Sequence, residues 1–137
     1  MKLKCFVALV SLFISLPAIA QNQTYACQHL KSAGLIWKKN YWEQTGFRVE
    51  SPFFLKVDKG RLSKDSVSKA IGIPELFVEC NGVEESMKFC FTPLGSSLIF
   101  DTKTMTGGIS SLYGATLPDK MEWKDSLSVS AFTCTKM

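Results

Sequence analysis

From Met87 to Ala115 the chain alternates and breaks in a way that predicts a β-meander. Met87, Phe89 and Phe91 alternate with Lys88, Cys90 and Thr92, the period-two pattern of a strand whose two faces differ. Thr92-Pro93-Leu94-Gly95-Ser96-Ser97 then gathers turn-forming residues. Leu98-Ile99-Phe100 resumes an apolar run. Asp101-Thr102-Lys103-Thr104 predicts a second turn, because an Asp carboxylate can accept a backbone amide two residues on. Gly107-Gly108 breaks the chain again before Ile109-Ser110-Ser111-Leu112-Tyr113.

The remaining segments follow the same logic. Thr24–Leu30 predicts a strand carrying Cys27, and Lys31–Gly34 is small and polar enough for a turn. In Leu35–Phe47 a two-residue turn at Lys39-Asn40 would set Trp37 opposite Trp42 and Lys38 opposite Tyr41. Such an aromatic pair is either half-buried packing or an exposed platform. Pro52 keeps any central strand from starting before Phe53, after which Phe53, Leu55 and Val57 point one way. Asp58-Lys59-Gly60 is a tight turn leading into Arg61-Leu62. Ser63–Ile71 is the one convincing helix. Ser63 or Asp65 can cap it, Val67, Ala70 and Ile71 form its apolar patch, and Gly72 suits the position past its end. Pro74–Cys80 returns to strand.

Asn81-Gly82 resembles a hairpin turn, but a wider loop centred on Glu85 would place Cys80 opposite Cys90. Thr116–Lys124 is a mixed connection from which Met121 and Trp123 point inward. In the closing strand, Asp125–Thr135, apolar Leu127, Val129 and Ala131 alternate with Ser126, Ser128 and Ser130. Phe132 and Cys134 then fall on the serine face, which predicts a bulge or a strand end buried on both faces. Seven or eight short strands with one short helix predict a mainly β fold, a small antiparallel β-barrel or sandwich.

Composition changes this picture in two ways. Residues 1–20 carry a basic start (Lys2, Lys4), an apolar run and Ala18-Ile19-Ala20, the pattern of a cleavable secretory signal peptide of bacterial type. The folded unit is then a single domain, residues 21–137. It keeps four of the five cysteines, Cys27, Cys80, Cys90 and Cys134. An even number in an exported chain implies two disulfides. Of three pairings, Cys27 with Cys134 and Cys80 with Cys90 is the one expected here. The first would close most of the chain, worth roughly 4–5 kcal/mol in chain-entropy models. Without Lys2 and Lys4 the chain is nearly neutral, which argues against nucleic acid as a partner.

Candidate chemistry is sparse. His29 is the sole histidine, and neither a nucleophile elbow, a zinc signature nor a phosphate loop occurs. No cofactor or metal is implied. Small exported lysozyme inhibitors also join a short barrel to disulfides, but their Ser-Gly-x-x-Tyr loop is absent, and no residue is carried over from them. The expectation is a non-enzymatic, exported cell-envelope protein, periplasmic or secreted. It would bind a protein partner through loops on a stapled β scaffold, in the manner of an inhibitor or immunity protein. The contact candidates are Pro93, Leu94 and Gly95, then Glu84 and Glu85, then Lys39, Asn40 and Tyr41. Two alternatives are a carrier of a small apolar ligand in a barrel cavity, and a small hydrolase using paired carboxylates.

Overall fold

A computed structural model describes residues 22–82, 85–118, 120 and 126–137. The expected signal peptide at residues 1–20, Glu84, Met121 and Trp123 lie outside these residues. The described chain forms β1 (Gln23–Lys38), β2 (Tyr41–Phe47), β3 (Phe53–Asp58), β4 (Arg61–Leu62), α1 (Lys64–Ile71), β5 (Glu79–Gly82), β6 (Met87–Phe91), β7 (Ser96–Asp101), β8 (Thr106–Ser111), α2 (Tyr113–Thr116) and β9 (Ser126–Lys136). The strands make one antiparallel sheet in the order β4-β3-β1-β9-β8-β7-β6-β5, curled into a nearly closed eight-stranded barrel. The ninth strand, β2, pairs with β1 beyond that path.

The long strand β1 organises the rest. Along one edge it pairs with β9 from Tyr25 to Ile36. Along the other it pairs first with β3, through Gln23–Cys27, and then with β2, through Ser32–Lys38. The expected turn at Lys31–Gly34 is therefore absent, and both β1 and β9 are long rather than short. Cross-strand hydrogen bonds on both sides outweigh the weak local preference of Lys31-Ser32-Ala33-Gly34 for a turn. Gly34 permits this close pairing, since a Cβ there would meet the Leu127 carbonyl oxygen at 1.8 Å.

The hairpin turns follow the sequence closely. Lys39 and Asn40 both take positive φ (48° and 69°), as a two-residue turn demands, and Trp37 stands opposite Trp42. Lys59 and Gly60 repeat that geometry between β3 and β4. At the β7–β8 turn, the Lys103 amide donates to Asp101 Oδ1 at 2.9 Å, and the Thr104 hydroxyl donates to Oδ2 at 3.1 Å. These donors, the Lys103 amide first, hold the Asp101 carboxyl below its ordinary range.

Helix α1 covers the edge of β3 that the two-residue β4 leaves open. The Ser63 amide donates to the Lys56 carbonyl (2.8 Å), and the Lys56 amide donates to Ser66 Oγ (3.1 Å). Ser63 stands at the N-cap without a side-chain cap bond, and the Ser66 hydroxyl donates instead to the Ser63 carbonyl. Val67 and Ala70 enter the core, and Gly72 ends the helix in the left-handed region. Pro74–Cys80 is not all strand. Glu75–Phe77 makes a 3₁₀ turn after Pro74, and pairing begins only at Glu79.

Both expected disulfides form, Cys27–Cys134 and Cys80–Cys90, each between directly opposed residues of adjacent strands. Around them pack Tyr25, Leu55, Leu98, Phe100 and Phe132, with Tyr25 edge-on to Phe100 and Phe53 edge-on to Phe132. The Gly107-Gly108 break does not occur, because both glycines lie in the regular β7–β8 ladder. Gly107 is required there: its Cβ would fall 2.2 Å from the Phe132 ring and 2.4 Å from the Ile99 carbonyl oxygen.

Strand β9 keeps one phase throughout. Phe132 and Cys134 share the face of Ser126, Ser128 and Ser130, and the bulge sits in the partner β1, between His29 and Lys31. One extra residue there shifts β1 relative to β9 without changing the face that β9 turns to the core.

Three outcomes follow. Gly107→Ala should cost about 1–3 kcal/mol through overpacking, whereas Gly46→Ala, with open space around it, should stay near wild type in denaturant unfolding. Replacing Cys27 and Cys134 by serine should cost about 5 kcal/mol, against about 3 kcal/mol for the Cys80–Cys90 pair, because the closed loops span 107 and 10 residues. Because the folded-state pKa of Asp101 is depressed, its stabilisation is present above the unfolded value of about 3.9 and lost as pH falls through the folded one. Asp101→Asn should therefore flatten the acid limb of the stability–pH curve, and an unchanged limb would contradict this account.

Candidate functional site

The meander faces the opposite way from what its composition suggests. Cys90 pairs across from Leu98 and Lys88 across from Phe100, so the even-numbered side of β6 lines the barrel interior. Lys88 is buried, and its ammonium donates to the Glu85 carbonyl at 2.6 Å. The odd-numbered side, Phe89 and Phe91, must then point outward.

The register extends this outward surface across the barrel wall. One cross-strand row reads Phe89, Ile99, Gly108, Ala131, and the next reads Phe91, Ser97, Ser110, Val129, Ala33. None of these side chains is charged. Val129 is 60% exposed, Ile99 41% and Phe91 38%, and Phe89 stacks on Phe91 at 5.7 Å. The Ser97 and Ser110 hydroxyls satisfy each other at 2.8 Å. Charges stand only at the border. Glu79, opposite Phe91, pairs with Lys64 at 3.2 Å, Asp101 stands opposite Met87, and Lys31 stands opposite Ala131. Sequence alternation marked these residues as apolar but could not say which side was out.

The expected loop contacts separate into two groups. Pro93, Leu94 and Gly95 form the β6–β7 turn, where the Gly95 carbonyl accepts from the Leu112 amide at 3.0 Å. The turn at Lys39 and Asn40, leading into Tyr41, lies towards the same end of the sheet, because β1 and β6 run in the same direction through the alternating strands. Glu85 lies at the opposite end, before β6. Behind the β1–β2 turn, Trp37 and Trp42 meet edge-on at 5.2 Å, with the Lys120 ammonium 5.3 Å from the Trp37 ring. This pair is half-buried packing rather than an open platform.

A second feature lies where β2 and β3 part from β1. The 48–52 link spans this fork and, with the last turn of α1, lines an open cleft of about 620 Å³. Its floor is His29, just before the β1 bulge, with the imidazole 4.9 Å from the Phe53 ring. Elsewhere, burial pushes the Tyr25 phenol above its ordinary range. Among the described residues no group of three or more His, Cys, Asp or Glu side chains could hold a metal ion. No helix among them is long and apolar enough to cross a membrane.

No family model matches the chain, and neither a curated protein nor a solved structure matches it.

Proposed function

We propose that this chain is an exported, non-enzymatic binding protein of the cell envelope, and that it captures a protein partner on its outward sheet face. The observation that carries this reading is the uncharged surface from Phe89 and Phe91 through Ile99 to Val129 and Ala131. An antiparallel sheet that faces water usually shows polar side chains there. Exposed apolar side chains gathered on one uncharged face mark an interaction site. An apolar centre depleted of charge, inside a polar border, is the anatomy of a protein–protein interface. The border mixes Glu79 and Asp101 with Lys64 and Lys31, which suits a protein better than an anionic membrane surface.

The two disulfides support an oxidising compartment, and the leader-like residues 1–20 support export. Two disulfides also make the wall a rigid platform that loses little freedom on binding. Inhibition or immunity towards the partner is the role this arrangement serves best. The barrel axis is filled by Tyr25, Leu98, Phe100 and Phe132, so an interior apolar ligand has no support from the packing.

The test is site-specific photo-crosslinking in the native envelope. A photoreactive phenylalanine analogue at position 91 or 129 should give one discrete adduct with another protein, and Ile99→Asp should abolish it. The same analogue at position 59, on the β3–β4 turn, should give none. Adducts only with a second copy, or adducts unaffected by Ile99→Asp, would overturn the proposal.

A further inference from the structure

The cleft at the β2–β3 fork shares no residue with the outward sheet face, and its chemistry points to a second ligand. Its volume, about 620 Å³, falls within the roughly 300–1,000 Å³ of small-molecule sites. His29 forms the floor and is only 5% exposed. Its ring packs against Phe53 and Phe132, but it makes no hydrogen bond among the described residues. No side-chain nitrogen or oxygen among the described residues is buried without a partner, so the His29 ring nitrogens are open to the cleft and free to meet a ligand there. The adjacent bulge in β1 is a device by which strands re-aim side chains beside functional sites.

The charges of the cleft are matched in kind but held apart. Lys69 is already paired with Asp65 at 2.8 Å. Arg48 has no ion-pair partner among the described residues. The Glu50 carboxylate approaches only His29, with Oε2 4.0 Å from Nε2. One unmatched cation and one unmatched anion therefore line the same cleft, beside the apolar surface of Pro52 and Phe53.

We propose that this cleft binds a small zwitterion of the α-amino-acid class with an apolar side chain. The ligand carboxylate pairs with the Arg48 guanidinium, whose fork suits a carboxylate. The ligand ammonium sits between His29 Nε2 and the Glu50 carboxylate. Acceptors 4.0 Å apart admit a shared nitrogen at about 2.9 Å from each. The apolar side chain lies along Pro52 and Phe53. A simple carboxylic acid would leave Glu50 unmatched, and a simple amine would leave Arg48 unmatched.

His29 is the sole histidine, so its imidazole NMR signals report the cleft without assignment in disulfide-intact protein free of a histidine tag. Three probes separate the charges: L-phenylalanine, 3-phenylpropanoate and 2-phenylethylamine. L-phenylalanine should shift the His29 signals saturably and bind at least about tenfold more tightly than either analogue. Arg48→Ala should bring its affinity down to that of the amine, and Glu50→Gln to that of the acid. Both residues are exposed, so the fold should survive. No saturable shift with L-phenylalanine, equal affinity for the three probes, or indifference to both substitutions would overturn the assignment.

Discussion

The structure depends on the parity that its two cross-strand disulfides impose. Side chains on a strand alternate with a period of two, so fixing one residue inside fixes every second residue with it. Cys90 is held to Cys80 within the core, and this commits Lys88 to the interior and Phe89 and Phe91 to the outside. Cys134 is held to Cys27, and this commits Phe132 and the serines of β9 to one face and Val129 and Ala131 to the other. The outward position of these side chains is thus a consequence of where the sulfurs lie. An apolar surface is presented to water because the alternative parity would bring both disulfides out of the core.

Strand β1 carries that constraint around the barrel. Among the described residues it is the only strand with three partners, and the bulge beside His29 lets it serve β3 and β2 in turn on one edge. The region between those two pairings is left to the 48–52 link, and the cleft occupies it. One device therefore curves the wall, parts two strands and aims an imidazole into the gap. The sheet face and the cleft are chemically unlike. The face is uncharged and held by the ladder itself, whereas the cleft is an open groove that places charges of both signs.

Local signals were legible where local physics decides. The Lys39-Asn40 turn, the Asp101 carboxylate on the Lys103 amide, the Gly72 helix stop and the start of β3 after Pro52 all rest on contacts within a few residues. Signals failed where distant strands decide. Lys31–Gly34 has the composition of a turn but gains hydrogen bonds on both edges. Gly107-Gly108 looks like a break but is a gap kept open for the Phe132 ring. Leu76 and Phe77 look like strand residues, yet Pro74 starts a 3₁₀ turn that has no neighbour to pair with.

The sequence by itself determined the β class, an even set of four cysteines with one of three pairings favoured, and the position of most turns, because these depend on alternation, on composition and on residues with special backbone freedom. Only the tertiary structure decided which face of each strand is the inside. Alternation states that two faces differ, and composition would have buried the phenylalanines of β6 and the valine of β9. The closed register of opposed strands, locked by the two sulfur bridges, turned them outward instead. The same register brought His29 from one end of the domain beside Arg48 and Glu50, a meeting that no local pattern encodes.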